Sequence, residues 1–313
     1  MVIIQLAGGL GNQLFQYALY LQLKSLGKTV KIDDAAGFVQ DAQRDPALKY
    51  FGIEYERATA EELRQMLDSS MLPWARVRRK LFGRRKKSYF EADKRFHPEI
   101  MEWDDIYLEG YWQTEKYFAG VSQEVRTAYD TDRLLQFADV AMQDNGERCT
   151  AAKWLTQIND TESVSVHIRR GDYLLPENQE LFGGICTEAY YLRAMDLMKR
   201  EHSECIFYIF TNDKQWIREQ VTEAETSDRI KIVELPETAG TAEQRDYAEF
   251  ALMSKCRHHI LANSSYSWWA SYLCRNPHKT VLAPDRWLNG WDCTDIYRED
   301  MQRIPSTKGI NDT

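Results

Sequence analysis

The chain has 313 residues, of which 43% are hydrophobic and 28% charged, and its formal net charge is -8. That length and balance describe a globular protein of about two domains with real cores to bury. They argue against a general binder of nucleic acid, which needs a basic footprint to displace counterions.

In chain order, residues 2–6 read as a short buried strand, 8–12 as a tight glycine turn, 14–26 as an amphipathic helix and 29–32 as a second strand. That is the opening of a Rossmann-like unit. From 38 to 159 the pattern is less regular, with helices expected at 60–72 and 133–142 and a strand at 106–111. The second half is clearer. Strands at 163–168, 205–210, 230–233, 259–262 and 280–283 alternate with helices near 188–199, 214–221, 242–256 and 267–273. Such alternation implies right-handed crossovers and a parallel sheet covered on both faces. A boundary near 150–161 divides the chain into domains 1–155 and 156–313.

The segment Val166-His-Ile-Arg-Arg-Gly-Asp-Tyr173 is the most telling. Val164, Val166 and Ile168 alternate with Ser163, Ser165 and His167 until Arg-Gly-Asp breaks the pattern, so Arg169 and Arg170 follow the carboxyl end of a strand. Ligands of open α/β sheets bind at that edge, and a guanidinium is a planar fork that meets phosphate oxygens two at a time. Surface ion pairs with Asp172 or Glu177 are the alternative use of these arginines. Other polar clusters follow other expected strands: Asn12 and Gln13 in the glycine turn, Thr211-Asn212-Asp213, and Asn263-Ser264-Ser265-Tyr266-Ser267. A shared edge points to one ligand cleft, although the same residue types also serve plain turns. Ser264, Ser265 and Ser267 precede a helix, where hydroxyls and free backbone N–H groups form a phosphate cradle or an ordinary cap. Asp246 and Glu249, three apart, share a helix face, where a carboxylate could accept the N1–H and amine of a guanine or simply be solvated.

Six cysteines, Cys149, Cys186, Cys205, Cys256, Cys274 and Cys293, lack Cys-x-x-Cys spacing. Reduced thiols in a cytoplasmic protein are expected, with neither a zinc site nor a disulfide framework. No secretion signal is read at the amino terminus, and no uncharged apolar run approaches the roughly 20 residues of a membrane helix. One basic run, Arg76, Arg78, Arg79, Lys80, Arg84, Arg85, Lys86 and Lys87 around Leu81 and Phe82, follows Trp74. It reads as a solvated helix or loop, or as a peripheral contact with an anionic membrane.

Gly8-Gly-Leu-Gly-Asn-Gln-Leu-Phe-Gln-Tyr-Ala18, His167-Ile-Arg-Arg-Gly-Asp-Tyr173 and Asn263-Ser-Ser-Tyr-Ser-Trp-Trp-Ala270 resemble, in order and spacing, the motifs of bacterial α-1,2-fucosyltransferases of glycosyltransferase family 11. Gly110-Tyr-Trp-Gln-Thr-Glu-Lys-Tyr-Phe118 and the stretch 249–256 extend the resemblance over nearly the whole chain. It implies an α/β fold of GT-B type, two facing Rossmann-like domains with a cleft between them. GDP-fucose would sit mainly on the second domain and a galactose-terminated oligosaccharide, free or lipid-linked, mainly on the first. Arg169 would meet the diphosphate, Asp246 or Glu249 the guanine, and Ser264, Ser265 and Ser267 the phosphates, with Arg170, Asn212, Asp213 and Asn263 also on the donor side. Asn12 and Gln13 would approach the fucose or the incoming hydroxyl, and Tyr111, Trp112 and Gln113 the acceptor. The reaction would invert, with His167 and Asp172 as candidate bases, and His167 equally a packed residue that orients Arg169. No metal or other cofactor is expected. Asp130-Thr131-Asp132, the closest match to the Asp-x-Asp of metal-dependent sugar transferases, reads as a helix cap.

Two other readings compete. Gly9-Leu-Gly11 followed by Asp33 and Asp34 imitates a dinucleotide fingerprint and suggests a nicotinamide-dependent oxidoreductase, though Leu14 stands where a third small residue belongs. A non-catalytic protein that binds carbohydrate or a GDP-sugar is the second.

Overall fold

The structure is a computed structural model that describes residues 1–39, 44–69, 73–82, 86–142, 150–220, 229–236 and 241–306. Contacts divide it into two compact units, Met1–Ala128 with Thr294–Ile296, and Tyr129–Cys293 with Tyr297–Thr313.

In the first unit, β1 (Val2–Ala7) leads into α1 (Leu10–Ser25). Val2, Ile3, Ile4 and Leu6 are all buried, so this strand is covered on both faces. β2 (Val30–Gly37), β3 (Ser88–Phe90) and β4 (Ile106–Glu109) complete a parallel sheet in the order β2-β1-β4-β3. α1 begins four residues earlier than the apolar pattern suggests, because the chain turns at Gly8 with φ of 76°. A β-carbon there would lie 2.7 Å from Asn12 Nδ2, so only glycine lets the strand enter the helix this abruptly. α2 (Ala60–Met66) opens on a capping box between Thr59 and Glu62 and ends well short of residue 72, near Asp68 with its left-handed φ of 50°. α3 (Pro73–Phe82) and α4 (Ser122–Ala128) follow.

The second unit has β5 (Ser163–Ile168), β6 (Ile206–Thr211), β7 (Ile230–Ile232), β8 (His258–Ile260), β9 (Val281–Pro284) and β10 (Met301–Ile304). They form a parallel sheet in the order β10-β9-β8-β5-β6-β7. Its helices are α5 (Thr131–Met142), α6 (Thr150–Asn159), α7 (Pro176–Phe182), α8 (Glu188–Glu201), α9 (Lys214–Gln220), α10 (Ala242–Lys255) and α11 (Ser265–Leu273). Tyr190, Ala194 and Met198 of α8 pack with Val164, Val166, Phe207 and Ile209 in one hydrophobic core cluster.

The unit begins at Tyr129, whereas the sequence pattern divides the chain at 155/156. The reason is packing: α5 and α6 both lie on α10, Asp132 pairs with Lys255, Tyr129 meets the Trp269 ring edge-on, and Trp154 Nε1 donates to the Glu234 carbonyl. Two edge strands, β3 and β10, are absent from the sequence reading. Edge strands are half-solvated, and Met-Gln-Arg-Ile has no apolar alternation to announce it.

Candidate functional site

Strand order reverses once in each sheet. In the second unit the chain goes from β5 outward to β6 and β7, and from β8 outward to β9 and β10, which leaves a crevice between the carboxyl ends of β5 and β8. Open α/β sheets bind ligands at such a switch point. Arg169 leaves β5 at this place, and Asn263 and Ser264 follow β8. Ser264 is the N-cap of α11, its hydroxyl accepting Tyr266 N–H at 3.4 Å, so the positive end of the helix dipole opens on the same crevice.

Arg169 Nη2 donates to Asp172 Oδ2 at 2.8 Å, and the guanidinium carbon lies 5.7 Å from the Tyr173 ring centre. The ion pair orients the fork and engages one of five N–H groups. Asp172 Oδ1 and His167 Nδ1 are both buried without a hydrogen-bond partner. Buried polar atoms are seldom left unpaired, and two such atoms at and just beyond the carboxyl end of β5 mark a place for a ligand. Burial first, and the nearby Arg169 second, hold the His167 pKa at about 3, so the imidazole is neutral and a poor proton acceptor at neutral pH.

Asp246 and Glu249 do share a face of α10. Asp246 keeps its carboxylate on the surface, where surrounding protein displaces enough water to raise its pKa above the usual range while Arg169 pulls the other way. Glu249 accepts from Lys214 Nζ at 2.9 Å, and burial raises its pKa too. The Tyr266 hydroxyl donates to the Asp246 carbonyl and its ring centre lies 5.4 Å from that of His167, tilted by 34°, which ties α11 to both α10 and β5.

Several expected donor residues are engaged by the scaffold. Arg170 pairs with Asp213 at 3.2 Å and lies 3.9 Å from the Trp216 ring centre, while its N–H donates to Asn212 Oδ1. Asp213 Oδ1 accepts Trp216 N–H at the start of α9. Asn263 is buried, with Nδ2 donating to the Trp287 carbonyl and Oδ1 accepting from Cys186 Sγ. Ser267 is buried and its hydroxyl returns to the carbonyls of Ala262 and Ser264. Ser265 stays partly accessible in the first turn.

In the first unit, order reverses between β1 and β4, and the loops after these strands meet. Gln113 Nε2 donates to Asn12 Oδ1 at 2.7 Å, and Gln16 Nε2 donates to the Gly110 carbonyl. Asn12 is half-buried and Tyr111 exposed, so both can face a ligand. Gln13 cannot: it is buried, donating to the Gly8 and Asp45 carbonyls and accepting Ala47 N–H. Trp112 corrects the sequence reading outright. Its φ of 56° turns the indole inward, where it is fully buried against Tyr89 and Tyr117 rather than available to stack on a sugar. The conformation is held by Glu91, a buried carboxylate accepting Tyr111 N–H at 3.1 Å, Trp112 N–H at 3.0 Å and Lys94 Nζ at 2.7 Å. Nothing in the pattern around Glu91 announces this role.

Asp33 accepts the Tyr107 hydroxyl and the N–H groups of Ala35 and Ala36, while Asp34 accepts from Tyr55 and Arg57. Both carboxylates that a dinucleotide ribose would need are thus occupied. Asp130 accepts Asp132 N–H at the start of α5, as a cap does. Among the described residues one group has metal-ligand character, Glu162, His202 and His258. It lies at the amino ends of β5 and β8, away from the crevice. Thr280 N–H donates to His258 Nδ1 at 2.9 Å, which places the neutral ring's proton on Nε2, aimed at Glu162 at 2.7 Å and blocking the lone pair a metal would use. No disulfide joins the five described cysteines, and Cys149 lies outside the described residues.

Two parallel-sheet Rossmann-like units, each with its polar loops at a switch point, define a two-unit α/β protein. The model of glycosyl transferase family 11 matches residues 85–301, and the chain belongs to that family of glycosyltransferases. The chain is 26% identical to an α-1,2-colitosyltransferase of Escherichia coli over 93% of this chain and 95% of that one. It is also 26% identical to the O-antigen biosynthesis glycosyltransferase WbnK of Escherichia coli, over 91% and 94% of the two chains. Against galactoside α-(1,2)-fucosyltransferase 1 of Ateles belzebuth identity is 25%, over 97% of this chain and 73% of that one.

Proposed function

We propose that this protein is an inverting α-1,2-fucosyltransferase that moves L-fucose from GDP-β-L-fucose to the 2-hydroxyl of a terminal galactose in a bacterial surface glycan. The observation that carries the proposal is the crevice between β5 and β8, where Arg169, the amino end of α11 and two unpartnered buried atoms of His167 and Asp172 converge. The names of the relatives agree with α-1,2 transfer, and that of WbnK with a surface glycan.

In this reading the galactose oxygen forms a bond to the anomeric carbon as the bond to the GDP oxygen breaks. Negative charge grows on the diphosphate, where Arg169 and the N–H groups of α11 receive it. The hydroxyl proton needs an acceptor. Asp172 Oδ1 has no partner and can take it, whereas burial disfavours the imidazolium that His167 would become. Arg169 and the helix dipole supply the charge that a metal would otherwise bring, so GDP binding is expected to survive EDTA. Asp246, the open carboxylate of α10, accepts the guanine N–H groups.

That last assignment carries a sign. A carboxyl accepts two N–H donors only when ionised, and the Asp246 pKa is raised. GDP affinity should therefore weaken as pH falls through a value above the ordinary carboxylate range, and this dependence should be reduced in Asp246→Asn. Without nucleotide the same shift acts in the opposite sense, because a raised carboxyl favours folding at low pH and its contribution is lost as pH rises through the folded pKa. Calorimetric titration with GDP across the acid range checks both. A flat profile removes Asp246 from the guanine site.

The function itself is tested by incubating the protein with GDP-fucose and lactose and determining the product linkage by NMR. An α-1,2-fucosylated galactose is expected. GDP-colitose as the only accepted donor would make the protein a colitosyltransferase, and NADH binding without GDP binding would restore the oxidoreductase reading.

A further inference from the structure

On the first unit, α3 turns an apolar stripe to solvent. Trp74, Val77 and Leu81 are 66%, 58% and 69% exposed. At about 100° per residue, the three fall within about 60° of one another around the helix. Single exposed apolar side chains are ordinary, but three large ones aligned on one helix mark an interaction surface. Arg76 and Lys80, both exposed, flank the stripe on one side, and the exposed Lys86 and Lys87 follow the helix. Arg78 is half-buried and pairs with Asp68, which fastens α3 to the body of the unit. Arg84, Arg85 and the Arg79 side chain lie outside the described residues.

We infer that α3 seats the protein on an anionic lipid bilayer, with Trp74, Val77 and Leu81 entering the boundary between headgroups and acyl chains while Arg76 and Lys80 meet lipid phosphates. With ten residues the helix is too short to span a bilayer and suited to lie on one. Charge complementarity selects the partner. The whole chain carries -8, so attraction to an anionic surface has to come from this local basic cluster, which sits beside the apolar stripe as in interfacial helices. The inference does not depend on the donor or acceptor assigned above.

The test is co-sedimentation of the full chain with vesicles of phosphatidylcholine, alone or with about a third phosphatidylglycerol. The wild type is expected to bind the mixed vesicles at low salt and to be released by high salt. At roughly fivefold per charge, Arg76→Gln with Lys80→Gln should lower binding at least about tenfold. Trp74→Ala with Leu81→Ala should abolish it. Circular dichroism and melting show that each variant is folded, whatever the enzyme's activity. A blue shift of tryptophan emission on adding mixed vesicles should vanish in Trp74→Phe. Equal binding to neutral vesicles, or variants that bind like the wild type, would overturn the inference. So would a wild-type dimer that ignores vesicles and dissociates in the Trp74 variants, which would give the stripe to a second copy of the chain.

Discussion

Replacing Arg169 by alanine is expected to lower turnover about 100- to 1000-fold, the loss that follows deletion of one well-placed transition-state donor. The effect should fall on kcat more than on the KM for the donor, because the charge Arg169 meets grows as the nucleotide departs. Arg169→Lys keeps the charge but not the fork, so it should recover only part of the loss. Arg170→Ala supplies the contrast. Its guanidinium is paired with Asp213 and stacked on Trp216, so the change should lower stability and leave turnover near normal. Steady-state kinetics on folded variants decide between the two arginines. Equal losses at both would mean that the ion pairs seen here do not separate their roles.

Trp112→Ala should cost about 3–5 kcal/mol of stability, the range for removing a buried aromatic ring from a core. The indole is fully buried between Tyr89 and Tyr117, and alanine at the same left-handed φ gains nothing to offset the cavity. Urea unfolding monitored by circular dichroism measures it. If Trp112 instead stacked on the acceptor, the variant would keep its stability and lose only acceptor affinity. Tyr111, exposed on the neighbouring position, is the residue for which that second outcome is expected.

The sheet of the second unit was legible because its central strands are buried on both faces. Apolar runs such as Ile206–Thr211, bounded by turn residues, leave few alternatives, and Ser163–Ile168 occupies the residues its alternation predicts. The edge strands β3 and β10 and the origin of the second unit were not legible, since Met301–Ile304 is half-solvated and α5 is assigned by its packing on α10 rather than by its own sequence. At the site, sequence could place Arg169, Asp172 and Ser264 near the carboxyl end of one sheet, because strand endings and helix starts are local signals, and could put Asp246 on a helix face with Glu249. It could not show which polar side chains turn inward. Gln13, Asn263 and Ser267 satisfy buried backbone groups, and Trp112 is carried into the core by a backbone angle that no side-chain pattern encodes. Glu91 escaped notice for the same reason, since its partners are the backbone N–H groups of residues some twenty positions away.

The most direct test is a crystal structure of the protein with GDP. The diphosphate should lie between the carboxyl ends of β5 and β8, within hydrogen-bond reach of Arg169 and the first turn of α11, with the guanine toward Asp246. A nucleotide bound instead on the turn of Gly8 to Asn12, with Arg169 directed away from both phosphates, would contradict the account.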